Sequence, residues 1–245
     1  MLEMVNADRA EHGLRPFELH DCLADVARAH SRDMQRNSFF AHRSPTTGMV
    51  KDRLWEAEVR VQTAAENIAK NRSLERAQAD LMNSPSHRAA ILDTGFTHCG
   101  IGIVKDDTGQ YVVTQVFGLI APDLDVERAG ADLLERLNET RAEQNRPACR
   151  ASRGLDRIAA EHAAELAEAG EHVPLDLPAK AREAGLRYRR LSAARIMLWV
   201  PMQLAEADAL VRTSASHLGF GFAKNTKHRH LGYGSVWVVV IMAGN

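Results

Sequence analysis

Asn83-Ser84-Pro85-Ser86-His87-Arg88-Ala89-Ala90-Ile91-Leu92, followed by Phe96-Thr97 and Gly100-Ile101-Gly102, is the stretch on which the reading of this sequence rests. Proline has its φ fixed near the helical value and lacks only an N–H that a first helical turn leaves unused. Ser84 is a residue type that caps helices, so a short helix is predicted to start at Pro85. Downstream, Ile101, Ile103, Tyr111, Val113 and Val116 lie in β-rich stretches on either side of Asp106-Asp107-Thr108-Gly109, which predicts a hairpin. Upstream, Ser73 can cap a helix running to about Asn83. Further back, Leu23, Val26, His30, Met34 and Asn37 recur at spacings of three and four, so residues 21–38 are predicted to be helical.

The pattern occurs twice. Asn6-Ala7-Asp8-Arg9-Ala10-Glu11 resembles Asn138-Glu139-Thr140-Arg141-Ala142-Glu143, and Leu23, Ala27 and His30 face Leu155, Ala159 and His162, all at an offset of 132. His98-Cys99-Gly100-Ile101-Gly102-Ile103 resembles His217-Leu218-Gly219-Phe220-Gly221-Phe222 at an offset of 119, so the second copy is 13 residues shorter in between. The joint is placed near Ala121-Pro122-Asp123-Leu124-Asp125. Each copy reads helix, helix, an irregular middle, helix, then two strands. The second pair of strands is Leu218–Ala223 and Tyr233–Met242.

Composition narrows the function classes. The 31 basic and 32 acidic side chains give a net charge of -1, which argues against the basic face of a nucleic-acid binder. No apolar run reaches the roughly 18 residues of a membrane helix. Met1-Leu2-Glu3-Met4-Val5-Asn6 is a charged, amphipathic opening and does not read as a secretory signal. Cys22, Cys99 and Cys149 contain no CxxC, and three cysteines allow at most one bridge and a free thiol.

Two further segments of the first copy stand beside the first: Phe39-Phe40-Ala41-His42-Arg43-Ser44-Pro45 and Ala65-Glu66-Asn67-Ile68-Ala69. Together, in this order and followed by Val113-Thr114-Gln115-Val116-Phe117-Gly118, the three resemble the CAP superfamily of cysteine-rich secretory, antigen 5 and pathogenesis-related 1 proteins, in its bacterial SCP-like branch. The resemblance implies an α+β fold, here tandem α-β-α sandwiches, each with a short antiparallel sheet between helices. It implies a CAP domain at 1–121 and a degenerate copy at 126–245. It also implies an extracellular or cell-envelope location, and a cleft carrying His42, Glu66 and His87. Ala65 and Ser86 stand where the family has glycine, and Asp80 is no clear counterpart of the family's second acidic residue.

Two imidazoles and a carboxylate can hold zinc or another divalent metal and leave a position for water. The carboxylate can instead stand behind one histidine and fix its tautomer. Without metal, His42 and Glu66 can form a general acid–base pair. The expected roles are therefore a binding module for a metal, a small molecule, a lipid or a protein; a hydrolase using the same three residues; or a structural tandem with a vestigial site. The bland readings are also definite. Glu66 can be a buried structural carboxylate, Asn67 a maker of structural bonds, Ser84 a cap rather than a nucleophile, and Arg88 a solvated cation. His30 and His162 read as buried structural histidines, His98 and His217 as turn closers, and His228 and His230 as parts of a solvated hairpin tip.

In the second copy His87 faces Glu206, Glu66 falls opposite Arg195, and His172 is the one counterpart of His42, so no metal is expected there. Cys22 and Cys99 face Gly154 and Leu218; their joint absence from the copy would fit a Cys22–Cys99 bridge, leaving Cys149 free.

Overall fold

The computed structural model describes residues 1–244 and divides the chain into two compact units, Met1–Ala121 and a second beginning at Pro122. In the first unit the order is α1 (Leu2–Glu11), β1 (Glu18–Leu19), α2 (Asp21–Arg36), α3 (Val50–Glu56), β2 (Val61–Asn71), α4 (Leu74–Asn83), α5 (Pro85–Leu92), β3 (His98–Lys105) and β4 (Tyr111–Ile120). The sheet order is β1-β3-β4-β2.

Alternation along β4 sorts the layers. Val112 and Val116 pack with Met34 and with Leu23, Val26 and Ala27 of α2, and with Leu54 of α3. Val113 and Phe117 point the other way, onto Val5 of α1, Ala77 and Leu81 of α4, and Ile91 of α5. Successive strand residues face opposite sides, so one strand supplies both cores and the unit is helix, sheet, helix. α2 lies so close to β3 that a Cβ at Gly100 would meet the Leu23 backbone at 2.1 Å, and one at Gly102 the Ala27 backbone at 2.2 Å.

In the second unit the order is α6 (Ala129–Glu143), β5 (Arg150–Ala151), α7 (Arg153–Ala169), α8 (Leu177–Glu183), β6 (Arg190–Leu198), α9 (Asp208–Val211), β7 (His217–Lys224) and β8 (Val236–Gly244), in the sheet order β5-β7-β8-β6. Val236, Val238 and Val240 of β8 face Leu133 and Leu137 of α6. Trp237, Val239 and Ile241 face Leu155, Ile158 and Ala159 of α7. Gly219 and Gly221 again admit a helix, with virtual Cβ contacts at 2.4 Å to Leu155 and 2.1 Å to Ala159.

The sheets differ from expectation in one respect. They are mixed rather than antiparallel, because β1 and β5 pair in parallel with β3 and β7. Strands of two residues leave no readable alternation in a sequence. The irregular middle is also not irregular. It contains β2 and β6, which pair antiparallel with β4 and β8. Helix α2 ends at Arg36, two residues before the expected limit.

Candidate functional site

Glu66 sits in the middle of β2, opposite Val116 and on the same side of the sheet as Ile68, the side covered by α2. Its side chain is 3% exposed, so the carboxylate needs partners. Oε2 accepts from Arg53 Nη2 of α3, in a close ion pair. Oε1 lies 3.0 Å from Nδ1 of His42 and 3.8 Å from Nε2 of His30. Arg53 Nη1 also donates to the carbonyls of Gly48, at 2.6 Å, and His42, at 3.3 Å. One buried guanidinium therefore ties the carboxylate to the loop that carries His42.

That loop is braced from α2. Ser44 Oγ donates to Asp33 Oδ2 at 2.5 Å and accepts the amides of Thr46 and Thr47. Ser44 and Gly48 pair as an isolated bridge. Asp33 is buried enough to be pushed up, yet the bonds from Ser44, Asn37 and Thr46 outweigh this and hold its carboxyl below the usual range. His30 Nε2 donates to the carbonyl of Ala41 at 3.1 Å, beside the start of the loop. Burial, opposed by Glu66 and aided by Arg53, holds His30 below the ordinary histidine value.

His87 arrives from the other side of the sheet edge, on the first turn of α5. Asn67, next to Glu66 but facing the opposite layer, donates to the His87 carbonyl at 3.0 Å and to Gln115 Oε1 at 3.3 Å. Gln115 continues to Gln78, and Gln78 to Asp8. Adjacent residues of one strand thus fix both histidines: Glu66 holds the His42 ring and Asn67 holds the His87 backbone. The two rings stand 6.4 Å apart, centroid to centroid. His42 is 43% exposed and His87 half-buried. Ser84 occupies the cap position of α5 without capping it; its hydroxyl bonds His87 Nδ1 at 2.9 Å. Burial, then the neighbouring His42, lower the His87 pKa.

The three expected residues are thus brought to one place, although their roles differ. His42 and His87 face each other, while Glu66 has both oxygens engaged from behind. Among the described residues no group of three His, Cys, Asp or Glu is set to hold a metal ion. Arg53 and His30 belong to the site but stood outside the motif reading. Arg53 gives no sequence signal, being one charge of a short charged helix, and His30 reads from helical periodicity as a packing residue. Asp80 instead accepts from Asn71 Nδ2 at 2.7 Å, and Arg88 is exposed.

The second unit lacks the arrangement. Across the first sheet Gly100 faces Val116 and Val116 faces Glu66; across the second Gly219 faces Ile241 and Ile241 faces Ala193. The carboxylate position therefore holds a methyl group, not Arg195. The stretch from this strand to the first hairpin strand is eight residues shorter in the second unit, 26 positions from Ala193 to Gly219 against 34 from Glu66 to Gly100, so position along the sequence misplaces the counterpart. Arg195 instead donates to the carbonyl of Val173 at 3.2 Å. His172 packs its ring on Trp237, at 5.2 Å. His162, in the place of His30, bonds Glu165 Oε2 through Nδ1 at 2.7 Å. His228 is anchored rather than solvated, with Nε2 2.8 Å from the Glu168 carbonyl. His98 and His217 are the first residues of their strands rather than turn closers. The cysteines form no bridge. Cys22 is exposed, whereas Cys99 lies in the core, where burial pushes its thiol up to about 12.

Residues 2–117 match the family model described as CAP, the cysteine-rich secretory protein family. Over 106 residues the chain is 40% identical to Uncharacterized protein YkwD of Bacillus subtilis, a match covering 43% of this chain and 41% of that protein. Over 104 residues it is 41% identical to Uncharacterized membrane protein YlbC of the same organism, covering 42% of this chain and 30% of that one. The chain thus spans less than half the length of these relatives. A solved structure of an extracellular protein containing an SCP domain, from Bacillus anthracis, is similar at 36% identity and a TM-score of 0.44, over 48% of this chain and 39% of that one. The motifs of the N-terminal unit and the match over residues 2–117 together make that unit a domain of the CAP, or cysteine-rich secretory protein, family.

Proposed function

We propose that the N-terminal unit is the binding module of a secreted or cell-surface protein, and that His42 and His87 are the groups in its cleft that meet the ligand. The observation that carries this is the buried Arg53–Glu66 pair behind His42. A carboxylate on Nδ1 fixes the imidazole with that nitrogen protonated and leaves Nε2 as a lone-pair donor. His87 has Nδ1 engaged by the Ser84 hydroxyl at 2.9 Å, which assigns its Nε2 to the ligand as well. Two neutral imidazoles suit zinc or a similar divalent ion, or a small molecule, lipid or protein segment with a hydrogen-bond donor. A metal would be held by His42 and His87, with water or the ligand completing its shell. Glu66 does not fit among the ligands, because Arg53 and His42 already take both oxygens. The location outside the cell rests on the printed description of the Bacillus anthracis relative as extracellular. Among the described residues no helix is long and apolar enough to cross a membrane.

Calorimetric titration of the full chain with zinc alone tests the reading. His42→Ala and His87→Ala should each abolish binding at the cleft. Glu66→Gln should weaken it about 10- to 100-fold, as loss of an orienting carboxylate does, and should cost about 3–5 kcal/mol of stability by stranding Arg53. Zinc uptake identical in wild type and both histidine variants would rule the cleft out. The His42–Glu66 contact also supports a second reading, a hydrolase with His42 as general base. Cleavage of a peptide library that ceases in Glu66→Gln and His42→Ala would favour it over simple binding. In the second unit we propose a degenerate copy of the domain, retained for structure, with Ala193 where the carboxylate would stand.

A further inference from the structure

A second His/His/Glu set lies at the opposite edge of the first sheet, away from the cleft. Glu18 and His20 are two residues apart on an extended segment, so their side chains share a side. The parallel register sets Glu18 opposite His98, and the His20 amide continues the ladder by donating to the Cys99 carbonyl at 3.1 Å. All three side chains are thereby directed to one patch by backbone pairing alone. The His20 and His98 rings meet edge to face with centroids 5.6 Å apart. Thr97 Oγ1 bonds His98 Nδ1 at 2.8 Å, which orients the ring so that Nε2 faces Glu18 Oε2 at 3.7 Å. His20 Nδ1 is buried and bonded to no protein group.

We propose that His20, His98 and Glu18 form a divalent transition-metal site at this sheet edge, with two imidazoles as donors set by the fold and the carboxylate as the donor that closes. Metal–ligand bonds of about 2.1 Å put two tetrahedral donors roughly 3.4 Å apart, close to the His98–Glu18 separation. As the side chains lie, no three such groups among the described residues hold coordinating positions together. Glu18 is 82% exposed, and turning about its own torsions brings it in.

The second unit supplies an internal control. β5 and β7 repeat the frame, with Arg150 opposite His217 and the Ser152 amide donating to the Leu218 carbonyl at 3.0 Å. Ser216 Oγ bonds His217 Nδ1 at 3.0 Å, as Thr97 bonds that of His98. Yet Arg150 stands in the place of Glu18, Ser152 in that of His20, and the ring beside His217 is Tyr188. The same backbone there carries one imidazole and a positive charge, which repels a cation.

The test is zinc titration of the full chain carrying His42→Ala and His87→Ala, which removes the cleft. One equivalent should remain. It should be lost on adding His20→Ala or His98→Ala, and weakened at least tenfold by the exposed substitution Glu18→Gln. Installing the set in the second unit, with Arg150→Glu and Ser152→His, should add one further equivalent. No zinc bound by the cleft-less chain, or binding indifferent to His20 and His98, overturns the proposal. Because the cleft variants are read separately, failure of the cleft site leaves this result interpretable, and the reverse.

Discussion

At the scale of single residues, the candidate site depends on how buried polar groups are satisfied. His30 is fully buried in the α2 layer, donating from Nε2 to Ala41 while Nδ1 has no partner. Protonating it would place a proton on a nitrogen that no acceptor meets, with Arg53 close by. Its folded-state pKa therefore lies below the ordinary 6.5. The unfolded chain takes up the proton first, so stability is fully present above pH 6.5 and falls as the pH drops below it. His87 and His20 are lowered too and act in the same direction. Urea unfolding between pH 7.5 and 5 should show a loss of stability on acidification. His30→Phe, which keeps a ring against Phe39, should reduce that slope without abolishing it. An unchanged slope in the variant would contradict this account of His30.

At the scale of elements, the decisive contact is a helix lying directly on a strand. Gly100 and Gly102 occur on alternate residues of β3 and thus face α2 together. Gly219 and Gly221 do the same beneath α7. Neither Gly102 nor Gly221 is needed for a turn. Each is needed because backbone occupies the space of a side chain. Gly102→Ala should lift α2, and with it the Asp33 and His30 contacts that brace the His42 loop. The expected cost is at the upper end of the about 1–3 kcal/mol typical of overpacking, seen as a lowered melting temperature and weaker zinc binding. Gly109→Ala meets no neighbouring atom and is the useful control, its penalty confined to a positive φ of 78°. Equal effects of the two substitutions would mean that the helix–strand contact is not the constraint.

At the scale of the whole molecule, every hydrophobic cluster falls within one unit. The end of the first unit is fastened within it, the Ala121 amide donating to the Arg60 carbonyl at 2.9 Å. Fragments cut between Ala121 and Pro122 should therefore each unfold cooperatively when followed by circular dichroism. The fragment 1–121 should retain the zinc stoichiometry of the full chain. A fragment lacking a cooperative transition would show that its core is completed by the other. The candidate site was legible as three motifs in order. Its working parts were less so, since Arg53 and His30 carry no motif and Glu66 lies on a strand whose Ala-rich sequence alternates poorly.

The order of helices and hairpin strands was set by local information, namely helical periodicity, caps and turn residues, while His42 and His87 were singled out only by the resemblance of their segments to a family's motifs. Strand partners more than forty residues apart were not set locally. Register alone made Glu66 a support behind His42, replaced it by Ala193 in the second unit, kept Cys99 in the core, and joined Glu18 to His98. Periodicity reports which side of its own element a residue faces. What stands opposite it is fixed only when distant segments pair, and in this protein those pairings assign the chemistry.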